Sequence, residues 1–275
     1  MNPGYLLPRL VRHFMPPKLA RALLRRKIII RPGLETVDPA SAVNRYLSVL
    51  QESGFDLEGK RALVFGYGGN FAVGCGLLQA GASHVVLCDR FVPPDEERNR
   101  LLMPAYEQFL TWVNGYVRPR TEYITLLEGD IREAAAGNQI EPVDLIVSSS
   151  VFEHLDVVTG ISQALAGLTS PGGFGVHFID LRDHFFRYPF EMLRYSSEMW
   201  RSWLNPDTNL NRLRLWDYRR VFQSCFQQVD IQIVEEDPEA FSRIRDSIRP
   251  EFISGNIEED CATIIRVTAR YPVSR

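Results

Sequence analysis

The sequence predicts an α/β protein built on a doubly wound, mostly parallel sheet of seven strands with helices on both faces. Short apolar runs alternate with helical stretches from about residue 38 onward. These runs are continuously apolar, which is typical of parallel strands that are covered on both sides. The length of 275 residues, with 45% hydrophobic and 24% charged residues, fits one large domain with additional segments.

The elements follow in chain order. Asp38 and Pro39 predict a helix start, because a capping carboxylate precedes proline at the first turn. Strands are predicted at 61–66, 84–89, 123–129, 143–150 and 174–181. Helices are predicted up to Gly81, from about 95 to 115, across Ile161, Leu165 and Leu168, and near 217–226. The runs at 229–237 and 261–271 lack a long connecting helix, so the C-terminal strand is expected to form an antiparallel edge.

The chain divides into a helical, basic lid segment at 1–59 and a domain at 60–275 that carries a substrate-facing insertion at 182–216. Residues 1–34 hold eight Arg or Lys and no acid. They form either a lid or packing segment, or a basic amphipathic helix in peripheral contact with a membrane surface or an anionic partner. No membrane span is expected in this segment, because Arg and Lys interrupt its apolar stretches every few residues.

Charge and cysteine content narrow the class of protein further. The net charge of -3 argues against nucleic-acid binding, which needs a strong positive field. The four cysteines show no paired spacing typical of zinc sites or disulfides, and this indicates a cytoplasmic protein.

Polar and glycine residues follow the predicted strands where each strand ends. The first strand runs into the turn Gly66-Tyr67-Gly68-Gly69-Asn70, where glycine permits positive φ and a close approach of a ligand. Asp89 ends the second strand, where a carboxylate can accept both hydroxyls of a ribose. Asp130 follows the third strand, and Ser148 and Ser149 close the fourth. Because the carboxyl ends of parallel strands meet at one sheet edge, these residues predict a nucleotide site there.

The chain resembles the class I S-adenosylmethionine-dependent methyltransferases in VFGYGG with Asn70, CDR at 88–90, EGDI at 128–131, DLIVSSSVFEHL at 144–155 and SPGG at 170–173. The resemblance implies that S-adenosyl-L-methionine is the cofactor. By resemblance the glycine turn holds the methionine part, Asp89 the ribose, Asp130 with Ile131 the adenine, and the two serines line the sulfonium end. The implied cofactor residues are Gly66, Tyr67, Gly68, Gly69, Asn70, Asp89, Arg90, Asp130, Ile131, Ser148 and Ser149.

Two histidines are candidate bases for an acceptor hydroxyl. His154, just past the fourth strand, is preferred because an imidazole titrates near neutral pH, and Glu153 beside it can orient the ring. His184, after the fifth strand, is the second candidate, whereas His177 is interpreted as a core histidine. No metal is expected, although Glu153, His154, Asp180 and His184 are suitable ligand types.

The insertion supplies the candidate acceptor residues Arg182, Arg212, Arg214, Trp200 and Trp216. The guanidinium groups of arginine fit phosphate or carboxylate groups, and aromatic faces fit sugars. These residues therefore favour a small-molecule or glycan-like acceptor, such as an anionic sugar. The alternative is an amphipathic cover whose rings pack on the sheet.

The favoured function is methyl transfer to this acceptor, at oxygen. Two other classes remain open at this point. Asp89 also fits an NAD-dependent oxidoreductase, and Val64, where the resembled family often has an acid, favours a non-catalytic nucleotide-binding module.

Overall fold

The computed structural model describes residues 3–14, 38–184, 188–205 and 210–273. Its strands are β1 Arg61–Phe65, β2 His84–Asp89, β3 Leu110–Val113, β4 Tyr116–Pro119, β5 Ile124–Glu128, β6 Val143–Ser149, β7 Thr169–Asp180, β8 Phe226–Glu236 and β9 Ala262–Pro272. Its principal helices are α1 Pro3–His13, α2 Pro39–Glu52, α3 Ala72–Gln79, α4 Glu96–Tyr106, α5 Ile131–Ala136, α6 Val158–Leu168, α7 Leu215–Gln223 and α8 Pro238–Ile244.

Seven strands form one sheet in the order β5-β2-β1-β6-β7-β9-β8. The five strands from β5 to β7 in that order pair in parallel, whereas β9 is antiparallel to both β7 and β8. The predicted fold class is confirmed. The C-terminal strand β9 lies between β7 and β8, so β8 forms the outer edge of the antiparallel pair.

Both faces of the sheet are covered by helices, as the continuous apolar strands predict. Side chains alternate along β1, so Ala62 and Val64 join a core with α2 and α3, while Leu63 and Phe65 face α6 and α7. Asp38 caps α2 by accepting the Ser41 N–H at 3.0 Å, as its position before proline predicts. The strand predicted at 174–181 begins earlier, at Thr169, and SPGG lies within it.

The helix predicted from about 95 to 115 is wrong beyond Tyr106. Residues 110–119 instead form the antiparallel hairpin of β3 and β4. Asn114 and Gly115, with φ of +51° and +81°, occupy the two turn positions that require positive φ. The Asn-Gly pair between aromatic and β-branched residues is the sequence signal for this hairpin.

Buried polar contacts hold helix α1 against the segment that follows β7. The Arg9 guanidinium forms an ion pair with Asp183 and donates to the Leu204 carbonyl at 2.6 Å, and the Tyr5 hydroxyl donates to the same carboxylate. Arg9 is therefore a packed residue, not a solvated charge of a basic segment. Residues 15–37, which hold six of the eight Arg and Lys residues of 1–34, lie outside the described residues.

None of the helices in the described parts of the chain combines the length and the apolar character needed to cross a bilayer.

We expect the Asp183→Asn variant to lose about 3–5 kcal/mol of unfolding free energy, because it leaves the Arg9 charge buried without its anion. Urea denaturation of the purified protein measures this loss. Glu239→Gln is the matched control, since it removes the anion of an exposed pair with Arg243 and should change the unfolding free energy far less. Equal losses of unfolding free energy in the two variants would contradict the expectation that the buried pair stabilises the protein more than an exposed pair does.

Candidate active site

The glycine turn after β1 has the backbone conformation that its sequence predicts. Gly66, Gly68 and Gly69 have φ of +81°, +62° and +78°. A Cβ atom on Gly66 would lie 2.3 Å from a methyl carbon of Val151, so the turn also packs closely against the residues after β6. Positive φ disfavours a side chain at all three positions, and at Gly66 and Gly69 a Cβ atom would also lack space.

Two asparagines hold the glycine turn against the start of α3. The buried Asn99 of α4 donates to the Gly69 carbonyl at 2.9 Å and accepts the Phe71 N–H at 3.0 Å. The Asn70 side chain accepts the Ala72 N–H at 2.9 Å. The first N–H groups of α3 are therefore already bonded within the protein. Asn99 was missed by the sequence analysis because an asparagine within a helix carries no local signal of a contact 28 residues away.

Asp89 lies directly beside the glycine turn. One of its oxygens accepts the Gly68 N–H at 3.1 Å, and the other accepts the N–H groups of Phe91 and Val92 at 2.9 Å each. The Phe91 side chain is 80% exposed. The end of β2 thus presents a carboxylate next to an uncovered apolar surface.

Asp130 is held by two arginines at the end of β5. Arg132 makes a two-point contact with its carboxylate at 2.9 and 2.5 Å, and Arg90 approaches it at 3.0 Å. The hydrogen bonds from Arg132, together with the charge of Arg90, lower the pKa of Asp130 to about 2. Ile131 is buried at the start of α5. Arg90 directly follows Asp89, so its ion pair with Asp130 links the end of β2 to the end of β5.

The two serines at the end of β6 face opposite sides of the sheet. Ser148 is fully buried and its Oγ lies 2.8 Å from His177 Nδ1, in the core around Phe152. Ser149 Oγ instead accepts a hydrogen bond from Arg45 of α2 at 3.0 Å. We therefore propose that only Ser149 lines the expected sulfonium end.

His177 is the core histidine that the sequence predicts. Burial lowers its pKa to about 3, so the imidazole is neutral and serves Ser148 as a hydrogen-bond partner. Ser150, the next residue after β6, has a φ of +55°, a conformation that non-glycine residues rarely adopt and that often accompanies functional sites.

Glu153, His154 and His184, the three predicted catalytic residues, lie together. One ligand-type atom from each falls within 4.8 Å of the other two, and the two imidazole rings meet edge to face. Glu153 is 1% exposed, and neither carboxyl oxygen has a hydrogen-bond partner of standard geometry in the described part of the chain. Burial, reinforced by the Asp180 carboxylate, raises the pKa of Glu153 well above its usual range.

Asn211, from the predicted insertion, fixes the turn that carries Glu153 and His154. Its backbone N–H donates to the Glu153 carbonyl at 2.8 Å, and its side chain donates to the carbonyls of Phe152 and Leu155 at 2.7 and 3.0 Å. No sequence signal marks this asparagine as a contact of a turn about 59 residues away.

Most of the predicted acceptor residues of the insertion are built into the interior. Arg214 donates to the carbonyls of Leu181, Asp260 and Ala262, and Arg212 donates to those of Met192 and Tyr195. Burial lowers the pKa of both guanidinium groups to about 10, so both stay charged at neutral pH. Because carbonyl oxygens occupy them, we propose a structural role for both in place of the predicted acceptor contact.

The other three predicted acceptor residues differ in their exposure. Trp200 is buried, donates from Nε1 to the Leu210 carbonyl at 3.0 Å and packs under Arg9, so we assign it to the core as well. Arg182 is half-buried and pairs with Asp180 and Glu235. Trp216 is half-buried on α7.

The chain matches no protein-family model and no curated protein in sequence. In structure it is similar to an S-adenosylmethionine-dependent methyltransferase from Mesorhizobium loti, with 17% identity, a TM-score of 0.44, and 81% of this chain and 96% of that chain covered. It is also similar to phosphoethanolamine N-methyltransferase 2 of Haemonchus contortus in complex with S-adenosyl-L-methionine, with 16% identity, a TM-score of 0.48, and 84% and 53% covered. These similarities concern the fold, and they assign neither a substrate nor a residue role to this chain.

The His177→Asn variant should change how stability depends on pH. In the wild type the folded-state pKa of about 3 lies below the ordinary 6.5, so only the unfolded chain takes up this proton between those values. Stability should therefore fall with decreasing pH by about 1.4 kcal/mol per unit from this group, and the variant should show a shallower fall.

Urea denaturation at a series of pH values between 7 and about 4 measures this slope. His13→Asn, which removes an exposed histidine, is the control and should keep the wild-type slope. If the unfolding free energies of wild type and His177→Asn fell in parallel with decreasing pH, protonation of His177 would not contribute to the pH dependence of stability.

Proposed function

We propose that this protein is an S-adenosylmethionine-dependent methyltransferase. The observation that carries the proposal is the contact between the Asp89 carboxylate and the Gly68 N–H at 3.1 Å, which brings the acid and the glycine turn into one site. The site lies at the carboxyl ends of β1 and β2, next to the point where strand order reverses and where doubly wound sheets bind nucleotides.

The residues present fit the adenosine part of this cofactor. The Asp89 oxygen that accepts the Gly68 N–H makes no second hydrogen bond within the described residues, so it retains capacity for a ribose hydroxyl. The exposed Phe91 ring offers an apolar face for a base beside that carboxylate. In this proposal Asp130 and Ile131 contact the adenine, and the glycine turn contacts the methionine part. When bound, the cofactor supplies a methyl group on a sulfonium that a nucleophile can displace.

The start of α3 argues against a dinucleotide. A pyrophosphate binds to free N–H groups at a helix N-terminus. Here Asn99 and Asn70 accept the N–H groups of Phe71 and Ala72, and the Phe71 side chain is buried where a third glycine would be needed. A cofactor without phosphates meets no such conflict, so the methyl donor is favoured over NAD.

The acceptor end of the site carries both a cation and a group that can receive a proton. Arg45 reaches Ser149 and its guanidinium carbon lies 3.7 Å from the centre of the Phe178 ring. A guanidinium at this position suits a carboxylate or phosphate on the acceptor. His154 would take the proton of an acceptor hydroxyl, with His184 and Glu153 beside it. We propose a small anionic acceptor, sugar-like in size, that is methylated at oxygen.

The protein's contribution to such a transfer is chiefly alignment. Displacement at a methyl carbon requires the nucleophile, the carbon and the sulfur to lie in line, and holding them so supplies much of the rate. Val151 lies against Gly66 and precedes Glu153 by two residues, so one short segment connects the cofactor turn to the acceptor cluster.

Isothermal titration calorimetry with S-adenosylhomocysteine and with NAD tests the proposal. We expect binding of S-adenosylhomocysteine only, and a loss of about 10-fold to 100-fold in its affinity in Asp89→Asn, because a charged acceptor of the ribose hydroxyls is removed. Methyl transfer from S-adenosyl-L-methionine to any acceptor would separate an enzyme from a non-catalytic binding module.

Asp144→Asn is the matched control for Asp89→Asn. Asp144 also accepts a backbone N–H, that of Arg61 at 3.0 Å, but it lies at the opposite end of the sheet. Its substitution should leave the affinity unchanged. Binding of NAD in place of S-adenosylhomocysteine, or equal effects of the two substitutions, would refute the proposal.

A further inference from the structure

The cluster of Glu153, His154 and His184 has the composition of a metal site. In the part of the chain that the structure describes, it is the one group of three carboxylate, imidazole or thiol side chains whose ligand atoms all lie within 4.8 Å of one another. Two imidazoles and one carboxylate form a common ligand set for divalent transition metals with open coordination positions.

Glu153 provides a second and independent indication of a ligand. The residue is 1% exposed, and among the described residues neither carboxyl oxygen has a hydrogen-bond partner of standard geometry. A buried carboxyl group without partners is unfavourable, and native structures rarely keep one unless it serves a function. A cation held between it and the two imidazoles would satisfy this group.

The protein also fixes the elements that carry the three side chains. Asn211 bonds three carbonyls of the turn at 152–155, which includes Glu153 and His154. Asp183, directly before His184, is anchored by Tyr5 and Arg9 of α1. The three ligands are therefore placed by contacts to residues that do not themselves belong to the cluster, as is typical of built metal sites.

We propose that Glu153, His154 and His184 bind one divalent transition-metal ion, such as Zn²⁺, Mn²⁺ or Fe²⁺. Mg²⁺ and Ca²⁺ prefer sets made entirely of oxygen ligands, so the two imidazoles disfavour them. This assignment replaces the expectation, drawn from the sequence, of a site without metal. Three protein ligands leave coordination positions open for a substrate or for water.

The role of the ion follows from its place and rests on the proposed function. The cluster lies just past the ends of β6 and β7, next to the segment that contacts the glycine turn. An acceptor hydroxyl bound to the ion would ionise more readily and release its proton to water. The C–S bond of the donor then breaks as the C–O bond forms, and S-adenosylhomocysteine leaves. With the ion bound, water takes the proton that the metal-free site would pass to His154, because both histidines are then ligands.

Titration of the tag-free, chelator-treated full chain with Co²⁺, followed by visible absorption, tests the metal site. We expect the absorption to saturate at one Co²⁺ per chain and Zn²⁺ to abolish it by displacement. Glu153→Gln, His154→Asn and His184→Asn should each weaken Co²⁺ binding by about 10-fold or more, since each removes one ligand. Far-ultraviolet circular dichroism checks that each variant is folded, and the partly exposed His184 keeps the test decisive if Glu153→Gln does not fold.

His13→Asn is the control, because His13 lies exposed on α1 and should not affect Co²⁺ binding. Absence of a saturable absorption in the wild type, or wild-type titration by the folded cluster variants, would overturn the proposal. Calorimetry with S-adenosylhomocysteine on the same samples separates the two proposals. Co²⁺ binding without S-adenosylhomocysteine binding would refute the methyltransferase alone, and the reverse would refute the metal site alone.

Discussion

The buried ion pair between Arg9 and Asp183 connects parts of the chain that are 174 residues apart and on which the proposed acceptor end of the site depends. A charged arginine in the interior needs an anion and hydrogen-bond acceptors, and here Asp183 supplies the anion while the Leu204 carbonyl accepts a hydrogen bond from one guanidinium nitrogen. The pair therefore fixes where α1 lies on the segment after β7. Because His184 follows Asp183, the same pair also fixes one member of the candidate cluster.

The two ends of the candidate site are stabilised in different ways. At the proposed cofactor end several contacts join residues close in sequence: Asp89 accepts N–H groups from residues two and three positions later, and Asn70 accepts the N–H of Ala72, two positions later. At the proposed acceptor end the contacts through Asn211 and Asp183 join residues far apart in sequence. Substitutions near the proposed acceptor end would therefore disturb contacts between residues from three separate parts of the chain.

The interior arginines give the insertion a structural role in addition to any contact with an acceptor. Arg214 bonds carbonyls that follow β7 and that precede and begin β9, and Arg212 bonds carbonyls of the preceding segment. Buried carbonyl groups at the ends of strands and helices, or between them, need hydrogen-bond donors. A guanidinium supplies several donors at once, which explains why arginines and aromatic rings occur together here. Arg45 of α2 lies near the end of β6, where it donates a hydrogen bond to Ser149.

The sequence by itself determined the alternation of strands and helices, the glycine turn and the position of Asp89, because each of these depends on local pattern. Continuous apolar runs indicate buried parallel strands, and positive φ after β1 requires glycine. Tertiary structure decided which polar residues meet. Asn99, Asn211 and Arg9 bond to partners 28 to 195 residues away, and no periodicity or motif encodes such a pairing. It also decided that Ser148 and Arg214 turn inward, because the packing of whole layers, and not the residue type, sets the direction of a side chain.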